Sequence, residues 1–130
     1  MVAPQNNNDK TTVQNIEQKR AKFALKFVKE LTSNKTEFLS CINSLPAMIH
    51  MNGLGQAMAF YNSKKQSIAA YGHVYKVLSD WLCDERKLFG DKTDLLDGIT
   101  QNDMGVYRMA QSEAQAFLVW LKNFANAYLK

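Results

Sequence analysis

The sequence predicts an all-α protein, a compact single-domain bundle of about five to six helices. Three observations carry that expectation. Apolar residues recur at helical spacing in every long segment of the 130-residue chain. No stretch sustains the apolar and polar alternation, bounded by Gly or Asn-Gly turns, that a strand needs. Hydrophobic residues make up 46% of the chain, with seven Phe, five Tyr and two Trp, enough to fill one interior without disulfide staples. A length near the commonest domain size leaves little room for a second core. Residues 11–130 are therefore assigned to one helical domain, and residues 1–10, with Pro4 and the run Asn6, Asn7, Asn8, to a flexible polar tail.

The first helix is expected to start at Thr11 or Thr12 as N-cap and to end before Asn34, with Val13, Ile16, Phe23, Phe27 and Leu31 on one side. At about 100° per residue, Lys19, Lys22, Lys26 and Lys29 gather on the opposite side as a basic stripe. Arg20 falls on the apolar side and reads either as a snorkelling or ion-paired residue or as a contact at a subunit seam. A second helix begins near Lys35, where Phe38, Leu39, Ile42 and Leu45 recur, and Pro46 is expected to kink or restart it. Met48, Ile49 and Met51 continue the apolar run to Asn52-Gly53, which marks a break. Gly53-Leu54-Gly55-Gln56 then leads into a short helix through Phe60, with Ser63, Lys64 and Lys65 as its polar exit.

A fourth helix, Ser67 to Leu88, is expected to bury Tyr71, Val74, Leu78, Trp81 and Leu82, to carry Lys76, Ser79, Asp80 and Lys87 outside, and to close at Gly90. Asp91 to Thr100 holds a single turn around Leu95 and Leu96. Asn102 or Asp103 caps the last helix, whose core stripe of Tyr107, Ala110, Ala114, Phe117, Leu121, Phe124 and Tyr128 runs to about Leu129. Short links between these segments favour antiparallel neighbours.

The chemistry of the chain points to binding, not catalysis. His50 and His73 are the only histidines, and neither sits in an H-E-x-x-H or E-x-x-H arrangement, so no helical metal site is expected and no cofactor is implied. Cys41 and Cys83 stand apart within apolar helical patterns and read as reduced core residues. Asp84 with Glu85, and Asp94 with Asp97, read as solvated carboxylates. Gly53-x-Gly55 has no Gly-Lys-Ser or Gly-Lys-Thr after it, so it reads as a place where two helices approach closely, with Gln56 bonding backbone there. No apolar run approaches the length of a membrane span, and the N-terminus lacks a signal-peptide layout, so a cytoplasmic protein is expected.

Charge is distributed unevenly within a formal net charge of +4. Residues 1–76 hold ten Lys or Arg against four acids, a balance of +6, while residues 77–130 hold six against eight, a balance of −2. Like charges on successive helical turns cost a few tenths of a kcal/mol per pair. A lysine stripe with only Glu30 at its edge therefore suggests an anionic partner.

Two blocks make the sequence recognisable. The segment Leu45-Pro46-Ala47-Met48-Ile49-His50-Met51-Asn52-Gly53-Leu54-Gly55-Gln56-Ala57-Met58-Ala59-Phe60 resembles the Asn-Gly-Leu-Gly-Gln signature of the small helical subunit of type III-B CRISPR effector complexes, the Cmr small subunit. Tyr107-Arg108, Glu113-Ala114, Phe117-Leu118, Trp120-Leu121-Lys122 and Phe124-Ala125 resemble the last helix of the same family. The resemblance covers the chain from about Gln14 to Leu129. It implies a non-catalytic subunit of an antiviral ribonucleoprotein, stacking with its own copies in a filament, touching other subunits, and contacting the backbone of guide RNA and target RNA. The candidate RNA contacts are Lys19, Lys22, Lys26 and Lys29, followed by Lys64, Lys65, Lys76 and Arg108. The family's last helix often carries further basic residues where this chain has Ser112 and Asn123. The alternative reading is a helical protein-protein adaptor with no direct nucleic-acid contact.

Overall fold

The computed structural model describes residues 14–91 and 93–130. Among them lie six α-helices: α1 Ile16–Glu30, α2 Lys35–Asn52, α3 Leu54–Lys64, α4 Ala69–Ser79, α5 Leu95–Gln101 and α6 Met104–Tyr128. A π-helical segment, Asp80–Glu85, continues α4. The all-α expectation holds, with no strand among the described residues.

Residues 1–10 and the expected caps Thr11 and Thr12 lie outside the described residues. The cap of α1 is Asn15, whose Oδ1 accepts from the Gln18 N–H at 2.8 Å while Gln18 Oε1 accepts from the Asn15 N–H at 3.0 Å. That reciprocal pair satisfies two donors that a helix start leaves open. α2 runs through Pro46 without restarting, contrary to one of the two expected outcomes there. It ends at Gly53, whose φ of +88° suits a residue without a Cβ and which also stands at the N-cap of α3. α3 continues four residues past Phe60, to Lys64. The stretch expected to hold one turn is a full helix, α5, capped by the Asp94 carboxylate accepting from the Leu96 N–H at 3.2 Å. Asp103, not Asn102, caps α6 through the Val106 N–H at 3.0 Å.

The long helix α6 is the spine, contacting α1, α2, α3, α5 and the π segment. Its pairings with α2 and the start of α3 run from Asn43–Asn126 through Pro46–Gln115 to Gly55–Tyr107, so α2 and α6 are antiparallel. Phe38, Ile42, Leu45, Ile49, Met58, Leu78, Phe117, Leu118 and Leu121 form the dry centre. The apolar run of α2 stops short of its expected end, because Met51 is 79% exposed. Cys41 and Cys83 are buried and unpaired, and burial raises both thiols, Cys83 to about 11. Both stay protonated thiols at neutral pH.

Candidate nucleic-acid interface

α1 sets its apolar side on α6 with only Ala24 and Val28 fully buried, while Ile16, Phe23, Phe27 and Leu31 are half-buried against the core. Lys19, Lys22, Lys26 and Lys29 are all exposed, as helical spacing requires. They divide into two settings. Lys19, Lys22 and Lys26 line an open cleft of about 640 Å³ between α1 and the π segment. Lys29 instead holds its ammonium 5.7 Å from the centre of the Tyr128 ring, a cation–π contact at the far end of α6. Ile16, Phe23 and Trp81 contribute the apolar part of the cleft, and Glu85 at the end of the π segment and its C-cap Arg86 form the opposite side.

Behind the cleft lies a buried ionic cluster centred on Glu113 of α6, which is 6% exposed. Arg20 donates Nε to Glu113 Oε2 at 2.7 Å and Nη2 to Oε1 at 2.9 Å, a bidentate pair, and gives Nη1 to Glu17 at 2.8 Å. Arg86 donates Nη1 to Glu113 Oε1 at 2.7 Å, and Trp81 donates its indole N–H to Oε2 at 2.9 Å. Burial pushes the Glu113 carboxyl up, but the hydrogen bonds from Arg20 and Trp81 and the arginine charges outweigh it and hold the group below its ordinary range. Of the two sequence readings of Arg20, the ion-paired one holds.

The π segment explains how one carboxylate gathers these donors. In an α-helix, residues five apart lie well round the helix from each other. The π turn bonds i to i+5, here Arg86 N–H to Trp81 C=O at 2.9 Å, which stacks the two residues on one side. Trp81 and Arg86 thereby reach the same acid. Trp81 also stacks on Phe117 with ring centres 5.1 Å apart, and Phe23 packs on both rings.

The Asn-Gly-Leu-Gly-Gln block serves the fold. Tyr107 Oη accepts from the Gly55 N–H at 2.9 Å, and Gln111 Oε1 accepts from the Leu54 N–H at 2.9 Å, so α6 side chains satisfy the start of α3. A Cβ on Gly53 would lie 2.9 Å from that same Tyr107 oxygen, and one on Gly55 would lie 3.2 Å from Ile99. Gly53 therefore answers both its positive φ and this close approach, and Gly55 sits where a Cβ would press on the Ile99 side chain. The expected role of Gln56 is corrected, because Gln56 is exposed and the backbone donors at the crossing are met by Tyr107 and Gln111.

The remaining candidates do not join the cleft lining. Lys64 lies 5.7 Å from the centre of the Phe60 ring, and Lys76 pairs with Asp80 at 3.2 Å on the outer face of the α4 region. Lys65 and Arg108 are exposed, on the α3 exit and on α6 respectively. His50 is exposed, and His73 sits 3.1 Å from Asn34 Oδ1. Among the described residues no three His, Cys, Asp or Glu side chains gather in a metal-holding group, and no helix is long and apolar enough to cross a membrane. Arg86 is the cleft residue that sequence reasoning missed. Helical periodicity places it at an ordinary helix end, and only the π turn brings it inward.

A crystal structure of a CRISPR-associated Cmr5 family protein from Thermus thermophilus shares the fold of this chain, with a TM-score of 0.76 at 24% identity over 90% of this chain and 100% of that one. The family model described as CRISPR-associated protein (Cas_Cmr5) matches residues 16–128, from the first turn of α1 to the last of α6. The chain therefore belongs to the Cmr5 family, the small subunits of the type III-B CRISPR effector.

Proposed function

We propose that this protein is a non-catalytic, cytoplasmic subunit that holds guide and target RNA by backbone contacts along α1, while its copies stack in a filament within the effector. The observation that carries this reading is the cleft wall of Lys19, Lys22 and Lys26, three exposed ammonium groups on successive turns with Arg86 facing them. Such a surface repels itself when empty and is neutralised by phosphates, whose displaced counterions drive binding. Lys29, Lys64, Lys65, Lys76 and Arg108 are secondary contacts. Of these, Lys76 is the weakest, because Asp80 already holds it.

A second reading, a protein-docking adaptor without RNA contact, is favoured by the outer side of α6. There Met104 is 64%, Met109 57% and Val119 59% exposed. The two readings separate on purification of the tagged protein from its host, with and without nuclease. Co-purifying guide RNA that is lost with high salt supports the RNA reading, whereas partner proteins that survive both high salt and nuclease, with no RNA, support the adaptor.

A further inference from the structure

The cleft contains one cation that the lysine stripe does not explain. Arg86 gives Nη1 to Glu113, and among the described residues its Nε and Nη2 donors meet no acceptor, while the side chain is 31% exposed in the cleft wall. Arg20 differs, since Glu113 and Glu17 take its Nε and both terminal nitrogens. Glu113 is itself fixed by Arg20 and Trp81, so the Arg86 guanidinium is oriented before any ligand arrives and loses little freedom on binding. An oriented guanidinium edge matches two oxygens of a phosphodiester. Lys19, Lys22 and Lys26 line the same cleft, and Glu85 is the single acid in its lining. Phe23 offers an apolar ring there, of the kind on which an unstacked base settles.

We propose that the cleft between α1 and the π segment is a pocket for one nucleotide of an unpaired RNA strand. Its phosphate lies on Arg86 and the lysines, and its base lies against Phe23. An open cleft of about 640 Å³ has room for a nucleotide. This inference rests on the RNA reading of the basic face and names the unit of RNA that face receives.

Isotope-labelled full-length protein is titrated by NMR to millimolar uridine 5′-monophosphate, with uridine, inorganic phosphate and single-stranded oligouridylate as separate arms. The monophosphate is expected to move the Trp81 indole N–H and the Arg86 Nε–H along with the Lys22, Phe23 and Lys26 amides. Uridine and phosphate alone should each bind about tenfold more weakly. Arg86→Lys, which keeps a cation beside Glu113, should weaken the monophosphate about tenfold, as removal of one bidentate pairing does. Lys22→Gln, on the exposed face, gives the same direction of change without touching the buried cluster. Phosphate binding as well as the monophosphate overturns the inference. So does oligouridylate that shifts the α1 lysines while the Trp81 and Arg86 signals stay still, an outcome that leaves the RNA-backbone reading standing. No shift anywhere on α1 with any ligand overturns both.

Discussion

Glu113 is the residue on which the α1, π-segment and α6 interface turns. A buried carboxylate between two arginines is expensive to isolate, and removing it leaves two cations facing each other in a poorly solvated place. Glu113→Ala is expected to lower unfolding stability by about 3–5 kcal/mol, measured by urea titration at neutral pH. The same group sets an acid dependence. Its folded pKa lies below its unfolded value, so the stability it contributes is fully present above about pH 4.3, the ordinary glutamate value, and is lost as pH falls through the lower folded value. The Glu113→Gln variant should lose less stability than the wild type over that fall, and equal losses would show that Glu113 is not the titrating group. Part of this is legible in the sequence. Arg20 on an apolar face needs a counterion, so ion pairing stands among its two readings. The identity of the partner is not legible, because 93 residues separate Arg20 from Glu113 and periodicity carries no information at that range.

The helices follow from local rules wherever those rules decide the outcome. Asp103 is one of the two expected caps for α6, and Asn52-Gly53 is the expected break. Gly53 makes the break testable. A side chain there meets both the left-handed backbone and the Tyr107 oxygen. Gly53→Ala is expected to destabilise the protein by about 1–3 kcal/mol, with a lowered thermal midpoint. A Tyr107→Phe background removes the close oxygen and should recover only part of that deficit, since the backbone strain remains. Where tertiary contacts decide, the sequence is silent. The π segment has the composition of ordinary α-helix, and its widened turn is held by Trp81 and Arg86 reaching Glu113. The sequence pattern assigns Gln56 a bond that Gln111 makes, because a pattern locates a tight crossing without saying which side of it supplies the acceptor.

The bundle, spined by α6, turns one side of α1 to solvent with its lysines, and the π segment closes one edge of that side into a cleft. The family is legible from two short blocks, one of which packs the start of α3 on α6. The basic face proposed for RNA is legible as a stripe but not as a cleft, since the second wall comes from residues far along the chain. The proposed role of Lys19, Lys22 and Lys26 in holding RNA phosphates is tested by the salt-dependent RNA affinity of the assembled effector carrying all three as Ala. A folded triple variant should bind more weakly at low salt, with the slope of log affinity against log salt reduced by about 0.7 for each single-strand phosphate that the variant no longer neutralises. Affinity and slope indistinguishable from the wild type would contradict that role.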